Sequence, residues 1–360
     1  MLMDILKLPC FHILGIYEND HEFQIRVQAV SAPSECPHCK TKKNPYRHGS
    51  REHVCMDLPI HGKQVGLLIK RQRYHCRDCN QTFWERLDCT IDEKRNCTKR
   101  LLSYIEKQSI QRTFVSISED IGINEKTIRN IFRDYINRLE ETTQFETPNW
   151  LGIDEIHIMN KPRCVFTNTE ERKLIDLLQN RNKETVVEYL SRLRNKDRIQ
   201  YVTMDMCQPY KDAVKAVLPR AIIIVDKFHI VRMANQALET IRKQLREGCH
   251  KELTEMKESY FDIWDCDNRQ KAFLKYNAWK AKIPTELQSA FEPLIKAMKN
   301  WEEEIFAYFD HHTTNAYTES LRSLIRAMNR LGRGYSFEVL RAKMLFTEGL
   351  PKERRPYVKV

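Results

Sequence analysis

Apolar and polar positions along this chain change rhythm several times, and each change predicts an element. Phe23-Gln-Ile-Arg-Val-Gln-Ala-Val30 alternates with period two, the mark of a strand with one buried face. Residues 31–90 are rich in cysteine and turn residues, which predicts short strands. A helical rhythm begins near Lys99 and runs through Ile117-Ser-Glu-Asp-Ile-Gly122 to Tyr135, and Pro148 marks a break. From Asn149 apolar runs predict strands at 149–158, about 163–169, about 172–178, 199–206 and 221–228. Helices are expected at about 183–194 and 209–218, and Thr167-Asn-Thr-Glu-Glu-Arg172 fits a hairpin turn. Residues 229–310 are charged and helical in pattern, with no strand signal. Beyond them, Leu321, Leu324, Ile325, Met328 and Leu331 follow helical core spacing.

Composition narrows the class of partner. A chain of 360 residues has room for two or three domains at ~150 residues each. The formal net charge is +11 and the pI about 9.0, which favours a polyanion, nucleic acid first. The excess is uneven: from Leu321 to Val360 ten Lys and Arg face three acids. No run approaches the ~20 apolar residues of a membrane span. Neither a signal nor a transit peptide is read at the N-terminus. Twelve cysteines without an export signal predict a reducing, cytoplasmic setting, with metal or free thiols rather than disulfides.

Cys36-Pro-His-Cys39 and Cys76-Arg-Asp-Cys79 are two C-x2-C knuckles separated by 36 residues. Four thiolates so paired can close a tetrahedral structural zinc site, and the long spacer must hold extra strands. His38, His48, His75 and Cys55 are spare candidates; His75 reads better as a surface or base-stacking residue. Residues 112–138 have helix-turn-helix form. Ser116–Ile121 is the first helix, Gly122 the turn and Asn124 the cap of the second. In such a unit the second helix enters the major groove, so Lys126, Thr127 and Asn130 would face base edges and Arg129 and Arg133 phosphates.

Three carboxylates stand at element ends. Asp154 ends the first run of the 149–228 region, Asp205 ends the fourth, and Glu319 opens the helix that follows Asn315. Asp, Asp and Glu suit Mg²⁺ (Mn²⁺ also fits), and a pair of such ions can serve phosphodiester cleavage or transfer. Three strands followed by strand–helix alternation is the order of an RNase H-like sheet, whose first and fourth strands are central neighbours. Asp226, in Val225-Asp-Lys-Phe-His229, falls on the fifth strand and is the rival second ligand. Glu155 should point to the opposite face from Asp154, and His157 is a further neighbour. Arg322, Arg326, Arg330 and Arg333 continue from Glu319 at helical spacing, a stripe suited to a DNA backbone.

Gly152-Ile-Asp-Glu155, Val225-Asp-Lys-Phe-His229, Asn315-Ala-Tyr-Thr-Glu319 and the block from Asn329 to Lys343 resemble the ISL-three family of bacterial insertion-sequence transposases. The resemblance implies a DDE active site, Mg²⁺-dependent strand cleavage and transfer, recognition of terminal inverted repeats, and a homodimer or larger assembly on double-stranded DNA near the nucleoid. Two positions depart from it: Arg322 and Ser323 stand where the family usually carries Asn and often Gly.

The expected fold is multidomain α+β. Residues 1–92 form N-terminal strands and a zinc-binding β module, and 93–147 a helix-turn-helix. Residues 148–230 form an RNase H-like α/β catalytic core, 231–310 an all-helical insertion, and 311–360 the last catalytic helix and a basic tail. Two alternatives stay open: a catalytically inactive or domesticated DNA-binding regulator, and a nuclease that only cuts.

Overall fold

The computed structural model describes residues 6–42, 45–143, 145–244 and 250–350, with 244 and 250–253 described by backbone alone. The chain forms two compact units, Met1–Thr143 and Gln144–Val360.

In the first unit seven strands precede three helices. The strands are β1 (Phe11–Glu18), β2 (Glu22–Ala29), β3 (Tyr46–Ile60), β4 (Lys63–His75), β5 (Thr82–Trp84), β6 (Ile91–Asp92) and β7 (Cys97–Thr98). The helices are α1 (Lys99–Gln111), α2 (Phe114–Ile121) and α3 (Glu125–Thr142). The sheet runs β1-β2-β4-β3-β7-β6, with β5 paired to β4. The short strands expected of residues 31–90 are corrected: β3 and β4 form one long antiparallel hairpin of 15 and 13 residues. Along β4, Val65, Leu67 and Ile69 alternate into a core with Phe23, Ile25 and Val27 from β2. That period-two pattern was masked in the sequence by Gly66 and the basic residues that follow. Cys55 belongs to the same apolar core rather than to a metal site. Burial pushes its thiol far up.

In the second unit the strands are β8 (Trp150–Ile158), β9 (Lys161–Asn168), β10 (Lys173–Leu178), β11 (Tyr201–Met204) and β12 (Ile222–Val225). Helices α4 (Lys183–Arg192) and α5 (Gln208–Val217) alternate with the last strands. After β12 come α6 (Lys227–Gln244), α7 (His250–Trp264), α8 (Arg269–Ala281), α9 (Gln288–Asn300), α10 (Glu302–Phe306) and α11 (Tyr308–His311). The chain then returns to the sheet with α12 (Ala316–Leu331) and α13 (Phe337–Glu348). The sheet order is β10-β9-β8-β11-β12. The first three strands pair antiparallel, and β11 and β12 run parallel to β8. This is the expected RNase H-like order, with the first and fourth strands adjacent.

The two faces of the sheet have separate cores, as period two requires. Leu151, Ile153, Val202, Met204 and Ile223 pack on α4 and α5 residues such as Val186, Leu190, Tyr210 and Val214. On β12, Ile224 instead joins a core built from the helices after it, including Ile230, Tyr260, Trp279, Phe291 and Phe306. Residues 229–310 therefore bury an aromatic-rich centre of their own.

Two apolar assignments on α12 need correction. Leu324 and Leu331 are exposed (41% and 65%), while Thr318, Leu321 and Ile325 are buried. The buried stripe is rotated toward Thr318 because that hydroxyl is hydrogen-bonded into the sheet. The C-terminal basic excess is also less free than its sequence suggests. Arg341 grips Asp176 through Nε–Oδ1 at 2.7 Å and Nη2–Oδ2 at 3.0 Å, and Lys343 is fully buried over the Tyr335 ring. Lys352, Arg354, Arg355 and Lys359 of the expected basic tail lie outside the described residues.

Candidate active site and metal centre

The zinc knuckles meet because the hairpin between them is antiparallel. Tyr46 opens β3 opposite His75 at the end of β4, so Cys36–Cys39 and Cys76–Cys79 emerge at the same end. The knuckles share their turn geometry: the Cys36 amide donates to Thr41 O and the Cys76 amide to Gln81 O, each at 2.9 Å. Lys40 and Asn80, each just after the second cysteine of its knuckle, both take positive φ. Cys36 and Cys79 Sγ are 3.7 Å apart, as are Cys39 and Cys76, and all four lie within 4.8 Å of one another. A tetrahedron with zinc–sulfur bonds of ~2.3 Å has edges of about 3.8 Å, so the quartet fits a closed zinc site. His48 and His75 stack beside it with Tyr46, at ring distances of 5.6 and 5.1 Å from His75.

The helix-turn-helix is formed by capped helices. Thr113 Oγ1 accepts from the Ser116 amide, which starts α2 two residues earlier than the sequence suggested. Gly122 ends it at φ +70, a left-handed position that favours glycine. Asn124 Oδ1 accepts from the Lys126 amide and opens α3. Ile128, Ile131, Phe132 and Ile136 are buried, which leaves Lys126 and Arg133 exposed and Thr127 and Asn130 half-buried. Arg129 is held by Glu125 one turn earlier, with Nε–Oε1 at 2.9 Å, and lies over the Phe114 ring.

In the second unit the strand register gathers the carboxylates. Ile153 pairs with Met204, and Met204 with Val225. The next residue in each case is an aspartate, so Asp154 stands beside Asp205 and Asp226. The last two directly follow β11 and β12, but Asp154 lies midway along β8, which runs on to Ile158, and does not end its strand as the sequence suggested. Asp154 and Asp226 are 1% exposed, while the Asp205 side chain is 22% exposed. Burial, and then the Asp205 charge, push the Asp154 carboxyl up to about 7 against the pull of Arg322 and His229. Burial likewise pushes Asp226 up to about 6, with Asp205 and Glu319 adding to it. Glu319 is exposed on the first turn of α12. Glu155, as expected from its strand parity, faces away, paired with Arg181 and with His157 Nδ1 at 3.1 Å.

Asp226 has a structural duty besides its place in this row. Its Oδ1 accepts from the Phe228 amide at 3.3 Å, which caps α6. Its Oδ2 is buried with no hydrogen-bond partner among the described residues. His229 sets Nε2 2.5 Å from Asp205 Oδ1. Burial opposes a charge on that imidazole, but its bond to Asp205 and the Asp205 and Asp226 charges outweigh this and raise its pKa. Arg322, read from the sequence as a DNA-backbone contact, turns inward: Nη1 lies 3.2 and 3.4 Å from the two Asp154 oxygens.

Helix α12 approaches β8 closely at Gly152. A Cβ there would sit 2.3 Å from Thr167 Oγ1 and 2.9 Å from Asn315 Oδ1. Thr318 donates to Asn315 Oδ1 at 2.5 Å, so Thr167 donates to Thr318 across the 2.8 Å contact between their hydroxyls. The Asn315 amide reaches Ile153 O at 3.4 Å. These buried polar groups tie the first turn of α12, which carries Glu319, to the sheet. Sequence reasoning missed the clamp, although an isolated glycine within a strand signals close approach. Gly152→Ala is expected to lift α12, destabilise the second unit by about 1–3 kcal/mol and reduce any Glu319-dependent DNA cleavage roughly 10²-fold. Chemical denaturation and a cleavage assay check it; an unchanged rate would mean that the clamp does not set Glu319.

The chemistry of the row fits a divalent cation. Its donors are all carboxylate oxygens, as Mg²⁺ prefers, and a buried carboxylate oxygen is left without a protein partner, although among the described residues only the cysteine quartet brings three or more ligand atoms within 4.8 Å of one another. No helix among the described residues is long and apolar enough to cross a membrane.

Three family profiles match along the chain. A family profile for ISL3 (ISL-three) DDE proteins, described as a transposase, matches residues 151–257 and 250–344. A profile for the zinc-finger of transposase IS204/IS1001/IS1096/IS1165 matches 32–79, and one for the helix-turn-helix domain of transposase family ISL3 matches 85–136. The transposase for insertion sequence element IS1001 of Bordetella parapertussis is 22% identical over 200 residues, covering 53% of this chain and 49% of that protein. The chain thus aligns with about half the length of that relative. The transposase profile spans more than half of the present chain and includes Asp154, Asp205, Asp226 and Glu319, and the chain belongs to the ISL3 family of transposases.

Proposed function

We propose that this protein is a DNA transposase that binds the terminal inverted repeats of its element and catalyses Mg²⁺-dependent strand cleavage and strand transfer. The observation that carries the reading is the register that sets Asp154 beside Asp205, with α12, the helix that carries Glu319, packed on β8. In this reading Asp154, Asp205 and Glu319 hold the cations. Once bound, two Mg²⁺ ions supply activation of the attacking oxygen and stabilisation of the leaving one. The protein's own part is to fix the three carboxylates, to keep Asp154 dry, and to hold the DNA in line.

The zinc module and helix-turn-helix select the transposon ends. Lys126, Thr127 and Asn130 face base edges, Arg133 reaches a phosphate, and Arg129 does so after leaving Glu125. Arg326, Arg330 and Arg333, all exposed, guide flanking backbone. Joining two ends requires a dimer or larger assembly on DNA.

The test is cleavage of a supercoiled plasmid carrying the element's ends. Wild type is expected to cut at the ends with Mg²⁺ and not with EDTA, and Asp154→Asn is expected to bind the ends without cutting. A folded, DNA-bound wild type that never cuts would instead indicate a DNA-binding regulator. Cutting without joining to a second duplex would indicate a simple nuclease.

A further inference from the structure

The cation-binding reading leaves the inward turn of Arg322 unexplained. Arg326, Arg330 and Arg333 on the same stripe are exposed, whereas Arg322 is 22% exposed and places Nη1 on both oxygens of a carboxylate that is 1% exposed. A divalent cation on Asp154 would sit ~2.1 Å from one of those oxygens. The guanidinium would then lie within about 5 Å of it, where like charges repel strongly at partial burial.

We infer that Arg322 is a resident counter-ion of Asp154 that competes with the divalent cation, so that loading the centre requires the Arg322 side chain to swing out. The inference rests on the carboxylate-centre reading above. It makes Arg322 a positioning residue that sets metal affinity, and it explains how a mostly buried aspartate is charge-balanced in the metal-free protein. Swung out, the guanidinium joins Arg326 one turn further along α12, where the stripe meets the DNA backbone.

The experiment is a titration of the zinc-loaded full-length protein with Mn²⁺ alone, read by the electron paramagnetic resonance of the free ion. Arg322→Asn is expected to bind Mn²⁺ on the order of tenfold more tightly than wild type. Arg322→Lys, which keeps a cation on a similar stem, is expected to stay within about twofold to threefold of wild type. Without metal, Arg322→Asn should melt below wild type, and Mn²⁺ should raise its melting temperature more than it raises that of wild type. Equal affinities for Arg322→Asn and wild type, with binding lost in Asp154→Asn, would overturn the counter-ion role and leave the metal centre standing. Binding that is the same in wild type and Asp154→Asn would overturn both.

Discussion

Stripping zinc with a chelator, or replacing Cys76 by Ser, is expected to unravel one end of the first unit while its centre stays folded. The quartet joins two segments that the hairpin only brings near. From Tyr46 to Glu52, β3 is exposed throughout and contributes no side chain to the main core. That half of the strand is tied down by its ladder to β4 and by the knuckles. Beside the quartet the buried apolar set is small, with Tyr74 and Phe83 stacked at 5.9 Å. Structural zinc in small modules contributes roughly 10–16 kcal/mol of apparent binding free energy that is also folding free energy. Here β2 and β4 keep an independent core at Ile25, Val27, Val65, Leu67 and Ile69. The loss should therefore be local: rapid amide exchange at 46–52 and 71–75, with protection retained at 64–69. Hydrogen exchange with and without chelator reads this directly. Unchanged protection at 46–52 would mean that the quartet does not hold a structural metal.

The second large effect concerns the choice of the second aspartate. Asp205→Asn is expected to lower cleavage by at least ~10³-fold, the several kcal/mol that a metal ligand supplies. Asp226→Asn is expected to stay within about tenfold of wild type, because an asparagine oxygen caps α6 as well as an aspartate does. The two residues differ in access and employment. Asp205 is partly exposed and linked to His229, whereas Asp226 is buried and spends Oδ1 on the Phe228 amide. Asp205 also directly follows β11, next to β8, while Asp226 directly follows the edge strand β12. The orphaned Asp226 Oδ2 is the argument for the rival. Cleavage that survives Asp205→Asn and fails in Asp226→Asn would move the ligand to Asp226. Equal loss in both would mean that the row works as one charged unit.

Local chemistry made much of this protein legible before any fold was known. The paired C-x2-C knuckles declared a metal site, since thiolates at that spacing have few other uses. Gly122 and Asn124 punctuate the helix-turn-helix with signals that are short-range and therefore visible, whereas the Thr113 cap was not read from the sequence. The run of strands from Asn149, and the aspartates that follow β11 and β12, are legible from apolar runs broken at polar residues, whereas Asp154 lies within β8. Tertiary structure decided what depends on register and close approach. Only pairing of Ile153, Met204 and Val225 aligns three aspartates into a row, and a one-residue slip would have scattered them to opposite faces. Only the docking of α12 onto Gly152 rotates its buried stripe, exposing Leu324 and Leu331 and turning Arg322 onto Asp154. Periodicity tells which residues share a helix face. It does not say which part of that face the sheet covers, because that is set by side chains more than a hundred positions away.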